Sequence, residues 1–314
     1  MKTQEATATG RASNYWLEEL QETEYLFDAS PLVIERLRHH SHLVTGVRPY
    51  DYRTGKDPKQ FAEKLEALVA LGGRDLLIPE SRLLGGFGFE IDGELYNIDT
   101  LKYYEALIAM DLGGVLGSFR SADSRRVVCE IGPGWGGFPY QLKTLFPDVT
   151  YVLVDLPELF LYSATYLLAA FPEARAVFVG EEPLTEEEWL SADFVFVPNT
   201  ALDALRPPRL DLTVNMVSFQ EMTAEQVDEY ARKVFELGSP YLYSLNRERS
   251  YYNDQIESVS SLVGRYYWNR IVSVLPVAYT RMLGSGRDKE VRSAKQRLNA
   301  LEYTHVVGTR RIAT

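Results

Sequence analysis

The stretch VVCEIGPGWGG, residues 127–137, decides how the rest of the chain is read. A short apolar run ends in an acid, Glu130, and then breaks into alternating glycines, Gly132, Gly134 and Gly136. Glycine takes positive φ without strain and has no Cβ, so such a loop lets backbone approach a ligand closely. The next segment carries Phe138, Leu142 and Leu145 at helical spacing, with Pro139 near its start. The loop therefore sits where a strand hands over to a helix N-terminus, the usual nucleotide position in an open α/β sheet. Gly132, Gly134 and Gly137 also satisfy G-x-G-x-x-G, the dinucleotide fingerprint, which keeps an NAD(P)-dependent oxidoreductase as an alternative. Glu130 argues the other way. A carboxylate two residues before the first glycine suits a ligand carrying an ammonium group and repels a pyrophosphate.

Composition narrows the partners. A chain of 314 residues with 46% apolar content can bury a sizeable core as one large domain or two modest ones. The formal charge, 33 − 44 = −11, argues against a nucleic-acid backbone as partner. Cys129 is the one cysteine and lies inside the apolar strand, which fits a reducing cytoplasm. Residues 1–14 are polar and expected to be flexible, with no apolar signal-peptide core. The longest nearly apolar run, residues 159–171, is too short to span a bilayer. The expected partner is a small molecule, without nucleic acid or membrane, and a homodimer is compatible.

Two halves emerge along the chain. Residues 1–122 read mostly as helices, with Phe61, Leu65, Leu68 and Val69 on one amphipathic face and Tyr104, Leu107, Ile108 and Leu112 on another. A glycine-rich hairpin or loop at 82–100 lies between them. The polar connector SADSRR marks the boundary, and 123–314 alternate strand and helix, which predicts a mostly parallel sheet. Strands are expected at 127–131, 150–154, 176–179, 193–197, 211–216 and 241–245. Helices are expected from Pro157 to about Ala170 and, after the Thr223/Gln226 capping box, up to Gly238. The tail predicts a helix near 253–264, a strand near 271–278, a charged helix near 288–301 and a last strand near 303–309.

On these residues a resemblance becomes specific. E-x-G-x-G-x-G resembles motif I of class I S-adenosylmethionine (SAM) dependent methyltransferases. The stretch EIGPGWGGFPYQLKTLFPDVTYVLVDLPELFLYSATYLLAAFP is similar to a bacterial family of sugar O-methyltransferases, and the resemblance covers roughly residues 80–310. It implies a Rossmann-like α/β sheet, mostly parallel with the last strand antiparallel, and an N-terminal, mainly helical lid. It also implies SAM as cofactor, S-adenosylhomocysteine as product, and a sugar or glycosylated natural product as acceptor. A catalytically silent SAM-binding scaffold is the third reading.

The candidate residues follow. Asp155 closes the second strand 25 residues after Glu130, where a βαβ nucleotide fold faces the ribose; with Glu158 it also has capping-box spacing. Asn199 ends the third strand of the domain, where related methyltransferases place a residue against adenine; it also suits a turn after Pro198. Leu156, Asn215 and Met216 complete the cofactor set. NMVSFQEMT, residues 215–223, resembles the family's N-x-x-S-x-x-E-M pattern through Asn215, Ser218, Glu221 and Met222. O-methylation needs the acceptor hydroxyl to lose its proton, and Glu221 is the first candidate base. A first-turn glutamate stabilised by the helix dipole is the alternative. His305 is the second candidate base. Tyr96, Tyr103, Ser218, Gln220, Asn246 and Arg247 are candidate acceptor-binding residues. His39, His40 and His42 read as a solvated helix end, and no spacing demands a metal.

Overall fold

The computed structural model describes residues 8–54, 57–121, 124–180, 183–249, 256, 258–275 and 303–312. A hairpin joins β1 (Phe89–Ile91) to β2 (Glu94–Tyr96). The main sheet is built from β3 (Arg126–Ile131), β4 (Val149–Asp155), β5 (Ala176–Phe178), β6 (Phe194–Pro198), β7 (Leu212–Met216), β8 (Tyr241–Arg247), β9 (Tyr267–Ile271) and β10 (Tyr303–Arg310). Their order is β5-β6-β4-β3-β7-β8-β10-β9. Strands β3 to β8 pair in parallel, while β10 runs antiparallel to both β8 and β9. This is the Rossmann-like α/β arrangement the sequence predicts. The chain winds outward from β3 to β4 and on to the edge strand β5, fills the place between them with β6, then crosses to β7 on the other side of β3. The switch point lies between β3 and β7, and an open α/β sheet forms its ligand crevice outside the carboxyl ends of the strands at such a point.

The central strands read as near-continuous apolar runs because both faces are covered. Alternation sorts their side chains. Val127, Cys129 and Ile131 join the core on one face, with Val152, Val195 and the helix Ala224–Glu236. Val128, Tyr151, Leu153, Val214 and Tyr243 join the core on the other, with Leu65, Leu68, Leu101, Leu107 and Ile108. The helical half, through Pro58–Gly72 and Ile98–Leu112, thus supplies the layer that covers one sheet face. Ile98–Leu112 is capped by Asn97 and Thr100 in a reciprocal box, and its residues 98–110 are all buried.

The tail departs from expectation. The strand expected near 271–278 forms earlier, at Tyr267–Ile271. Fully buried Tyr267 anchors it, while Val272 and Val274 are buried just beyond its end. The apolar run there marks burial more than ladder position. The expected helix near 253–264 forms at Val259–Val263, and the expected charged helix near 288–301 lies outside the described residues. Within the stretch expected to be flexible, Ala8–Gly10 forms a 3-10 turn with Thr9 buried. Among the described residues no helix is long and apolar enough to cross a membrane.

Candidate functional site

The glycine loop follows β3 with φ of +70° at Gly132 and +58° at Gly134. Both values lie in the left-handed region that favours glycine. A Cβ on Gly132 would come within 2.1 Å of the Ser218 hydroxyl oxygen, so the loop and the β7 exit are pressed together. Gly136 then starts the helix Gly137–Leu145. Asp155, at the end of β4, braces the loop: one carboxylate oxygen accepts from Gly134 N–H at 3.0 Å, the other from Leu156 N–H at 2.8 Å. Burial nevertheless pushes its carboxyl up to about 7, with those two backbone bonds opposing the rise. The expected capping box with Glu158 does not form: Leu156 is the N-cap of the turn Pro157–Leu159, with no side-chain cap bond, and Asp155 braces the glycine loop instead.

Glu130 lies two positions beyond Val128 on β3, so its side chain points to the face covered by the helical half. It accepts a 2.7 Å bond from the Tyr151 hydroxyl. Burial pushes its carboxyl to about 8; the Tyr151 bond opposes this, Asp155 adds to it, and the Lys102 ammonium pulls it back. Lys102 comes from the helix Ile98–Leu112, where Asp99 one turn earlier accepts from its Nζ at 3.2 Å. The neighbouring Tyr103 packs its ring against Trp135 and Phe138, with centroids 6.3 and 5.8 Å away. That helix therefore rests directly on the glycine loop. Arg38 locks it there. Its guanidinium donates to Glu80 at 2.7 Å, to Asp99 at 2.9 Å and to Ser41, and lies 3.8 Å from the Trp135 ring centroid.

The segment after β7 forms the opposite wall. Asn215 is buried and ties three strand ends together: its amide donates to Ile131 C=O at 2.8 Å, and its oxygen accepts from Phe219 N–H and from the Asn246 amide. Val217 has φ +64°, a strained conformation for a β-branched residue. Strain of this kind survives where surrounding structure over-determines it, and it clusters at functional sites. Gln220 accepts from Arg247 N–H at 2.9 Å and donates to the Tyr303 hydroxyl at 3.1 Å. Glu221 is partly buried. Burial pushes its carboxyl to about 8; Arg247, a Trp16 hydrogen bond and Lys102 oppose the rise, and Glu19 adds to it. Trp16 and Glu19 belong to the helix Asn14–Gln21, so the amino-terminal segment reaches this carboxylate.

The structure gathers Glu130, Gly132, Gly134, Asp155, Leu156, Asn215, Ser218, Gln220, Asn246, Arg247 and Tyr103 around the crevice. Asn199 is also buried there; its amide donates to Thr9 C=O at 2.7 Å, and its Oδ1 is buried with no hydrogen-bond partner among the described residues. Thr9 N–H in turn donates to Glu229, and Gln226 grips Ala8 and Arg11 carbonyls. Two candidates stand elsewhere. Tyr96 lies in the hairpin, within electrostatic reach of Arg74, Glu94 and Asp92. His305 turns Nδ1 to the Tyr243 hydroxyl at 2.8 Å and Nε2 toward Glu105 at 3.6 Å, inside a buried cluster that also holds Lys64. His40 and His42 bond to Tyr25 and to the His39 carbonyl, respectively.

Sequence reasoning missed Lys102, Trp16 and Arg38. Lys102 left a signal: a lysine within the apolar helix LKYYEALIAM has to find a buried anion. Trp16 and Arg38 left none, since their partners are distant in sequence.

No family model and no curated protein sequence matches the chain. Solved structures similar to it include human N-acetylserotonin methyltransferase in complex with SAM, at 9% identity over 87% of this chain and 62% of that one, TM-score 0.39. An O-methyltransferase family protein from Burkholderia thailandensis is 13% identical over 69% and 60%, TM-score 0.37. Haemonchus contortus phosphoethanolamine N-methyltransferase 2 in complex with SAM is 10% identical over 69% and 58%, TM-score 0.40. The chain spans less than two thirds of the length of each of these structures.

Proposed function

We propose that the chain is a SAM-dependent O-methyltransferase acting on a hydroxyl of a small acceptor. The observation that carries this reading is the pair of buried acids, Glu130 and Asp155, at the ends of adjacent central strands beside the glycine loop. An acid-lined crevice suits a cationic nucleoside and repels a pyrophosphate. In this reading Asp155 meets the ribose hydroxyls while bracing the loop, and the unpartnered Asn199 Oδ1 accepts from the adenine amino group. Leu156 and Met216 supply apolar surface, and Glu130 faces the ammonium of the amino-acid head. Residues 1–122 act as the lid and 123–314 as the cofactor half.

SAM supplies an electrophilic methyl group on a sulfonium centre. The chain's task is to hold the acceptor oxygen in line and remove its proton. Glu221 takes that proton, on the wall opposite Glu130. Arg247 and Lys102 favour its ionised form, while Trp16 holds the carboxylate in place. His305, with both ring nitrogens turned into a buried cluster, is less well set for the task. The sugar acceptor follows from the sequence resemblance, and the Trp16 ring beside Glu221 offers the apolar wall that a pyranose face suits.

Thermal unfolding with added nucleotides tests the reading. S-adenosylhomocysteine at a hundred times its Kd should stabilise the chain by about 2.7 kcal/mol, and NAD should leave it unchanged. Stabilisation by NAD with no response to S-adenosylhomocysteine overturns it.

A further inference from the structure

Lys102 is 8% exposed, on a helix of the amino-terminal half, yet its charge belongs to the crevice. Its ammonium is held by Asp99, lies 4.7 Å from the Tyr103 ring centroid and acts electrostatically on both Glu130 and Glu221. The placement stands on packing. A Cβ added to Gly137 would come within 2.6 Å of the Tyr103 ring, and that ring packs on Trp135 and Phe138, so the helix carrying Lys102 lies directly against the glycine loop. Asp99 is fixed from behind by Arg38 at 2.9 Å, which aims the lysine stem. An ammonium carries three donors and can serve several acceptors at once. Burying such a charge is costly unless anions meet it.

An α-amino acid presents an ammonium and a carboxylate one carbon apart. A site that reads it needs an anion and a cation side by side in a dry wall. Glu130 and Lys102 make such a pair, contributed by different halves of the chain. We infer that Lys102 anchors the carboxylate of the amino-acid head of the bound nucleoside, with Glu130 taking its ammonium. This rests on the methyltransferase reading above and deepens it. The helical half then binds the cofactor as well as covering it, and a nucleoside lacking the head bypasses Lys102 altogether.

Calorimetric titration separates the possibilities. 5′-Methylthioadenosine keeps the adenosine and thioether of S-adenosylhomocysteine but lacks the head. Decarboxylated S-adenosylhomocysteine lacks only the carboxylate. Lys102→Met should weaken S-adenosylhomocysteine about ten- to a hundredfold, the range of a charge-assisted hydrogen bond, and leave methylthioadenosine within twofold. Lys102→Arg should recover part of the loss. Should Lys102→Met fail to fold, the unmodified chain decides: it should bind decarboxylated S-adenosylhomocysteine about ten- to a hundredfold more weakly than the intact compound. Equal weakening of both nucleosides in Lys102→Met, no weakening of either, or indifference to the carboxylate overturns the inference while the methyltransferase reading stands. A chain that binds none of the three nucleosides overturns that reading itself.

Discussion

Asp99 and Glu130 are equally buried, at 2% exposure each, and both lie within reach of the Lys102 ammonium, yet their acidities part company. Burial would raise Asp99, but Lys102 and Arg38 together hold it below the usual carboxylate range. Burial raises Glu130 to about 8, because its close partner is a neutral phenol and its cation is shared. The contrast separates the two sides of the crevice. In the helical layer Arg38 and Lys102 together satisfy Asp99, and Lys102 also reaches toward Glu130. The carboxyl ends of the central strands β3 and β4 keep acids that, in the proposed function, meet a cation that arrives and leaves. The network around Arg38 holds the geometry, while the strand-end acids, with Lys102 at the network's rim, are proposed to meet the ligand, and substitutions in the two places should fail differently.

The largest effect should fall on the sheet side. Glu221→Gln keeps the shape and a carbonyl acceptor but cannot take a proton. Turnover should drop about 10²–10⁴-fold, while S-adenosylhomocysteine affinity moves little. With its carboxyl near 8 in the unliganded chain, kcat/KM should climb with pH up to about 8 and level off above it. Near-normal turnover in Glu221→Gln would make this residue structural. The next comparison belongs to the helical side. Arg38→Met leaves Glu80 and Asp99 buried without their guanidinium, and removing one partner from such a network costs roughly 3–5 kcal/mol. Denaturant unfolding should show that loss. Since Arg38 also lies over Trp135, cofactor affinity should weaken with it. A variant as stable as the parent would mean the network is not the latch between helix and loop.

The same contrast explains what could be read from the sequence. The glycine loop was legible because backbone conformation dictates residue type: +70° at Gly132 beside the Ser218 hydroxyl leaves little choice. Asp155 and Glu130 were legible because strand ends in a parallel sheet occur at regular spacing. The capping box at Thr223 is local, and the helix behind it formed as expected. Arg38 and Trp16 act on partners far along the chain, 61 residues away for Arg38 and Asp99, and local patterns do not carry that information; for Lys102 the pattern shows a lysine in an apolar helix but not that Glu130 lies within its reach. Tyr96 and Tyr103 looked alike in sequence. The turn from hairpin to helix sent one toward Arg74 and the other onto the glycine loop. The strand expected near 271–278 formed earlier because apolar residues such as Val272 and Val274 can be buried without belonging to a ladder, whereas the last strand formed at Tyr303–Arg310 as expected.

The smallest effect is the most direct measure of the difference in acidity. In the unliganded chain at pH 7, Glu130, near 8, is mostly protonated, and Asp155, near 7, is about half so. An ammonium beside Glu130 and ribose donors on Asp155 favour the ionised forms, so binding S-adenosylhomocysteine should expel between about one and one and a half protons in total. Titration in two buffers of different ionisation enthalpy reads that number. Affinity should rise with pH from 6 to 8, by at most about tenfold per unit for each proton released, and flatten above 8. The stability of the unliganded chain should run the opposite way. A carboxyl whose folded pKa is raised contributes stability that is whole below about pH 4 and is lost as pH climbs through 7 for Asp155 and 8 for Glu130. Glu130→Gln should remove the larger share of the released proton, whereas Lys102→Met, which touches the ligand's carboxylate, should leave proton release in place. Equal release from Glu130→Gln and the parent would show that the strand-end acid is as fully paired as Asp99, and the distinction between the two sides would fall.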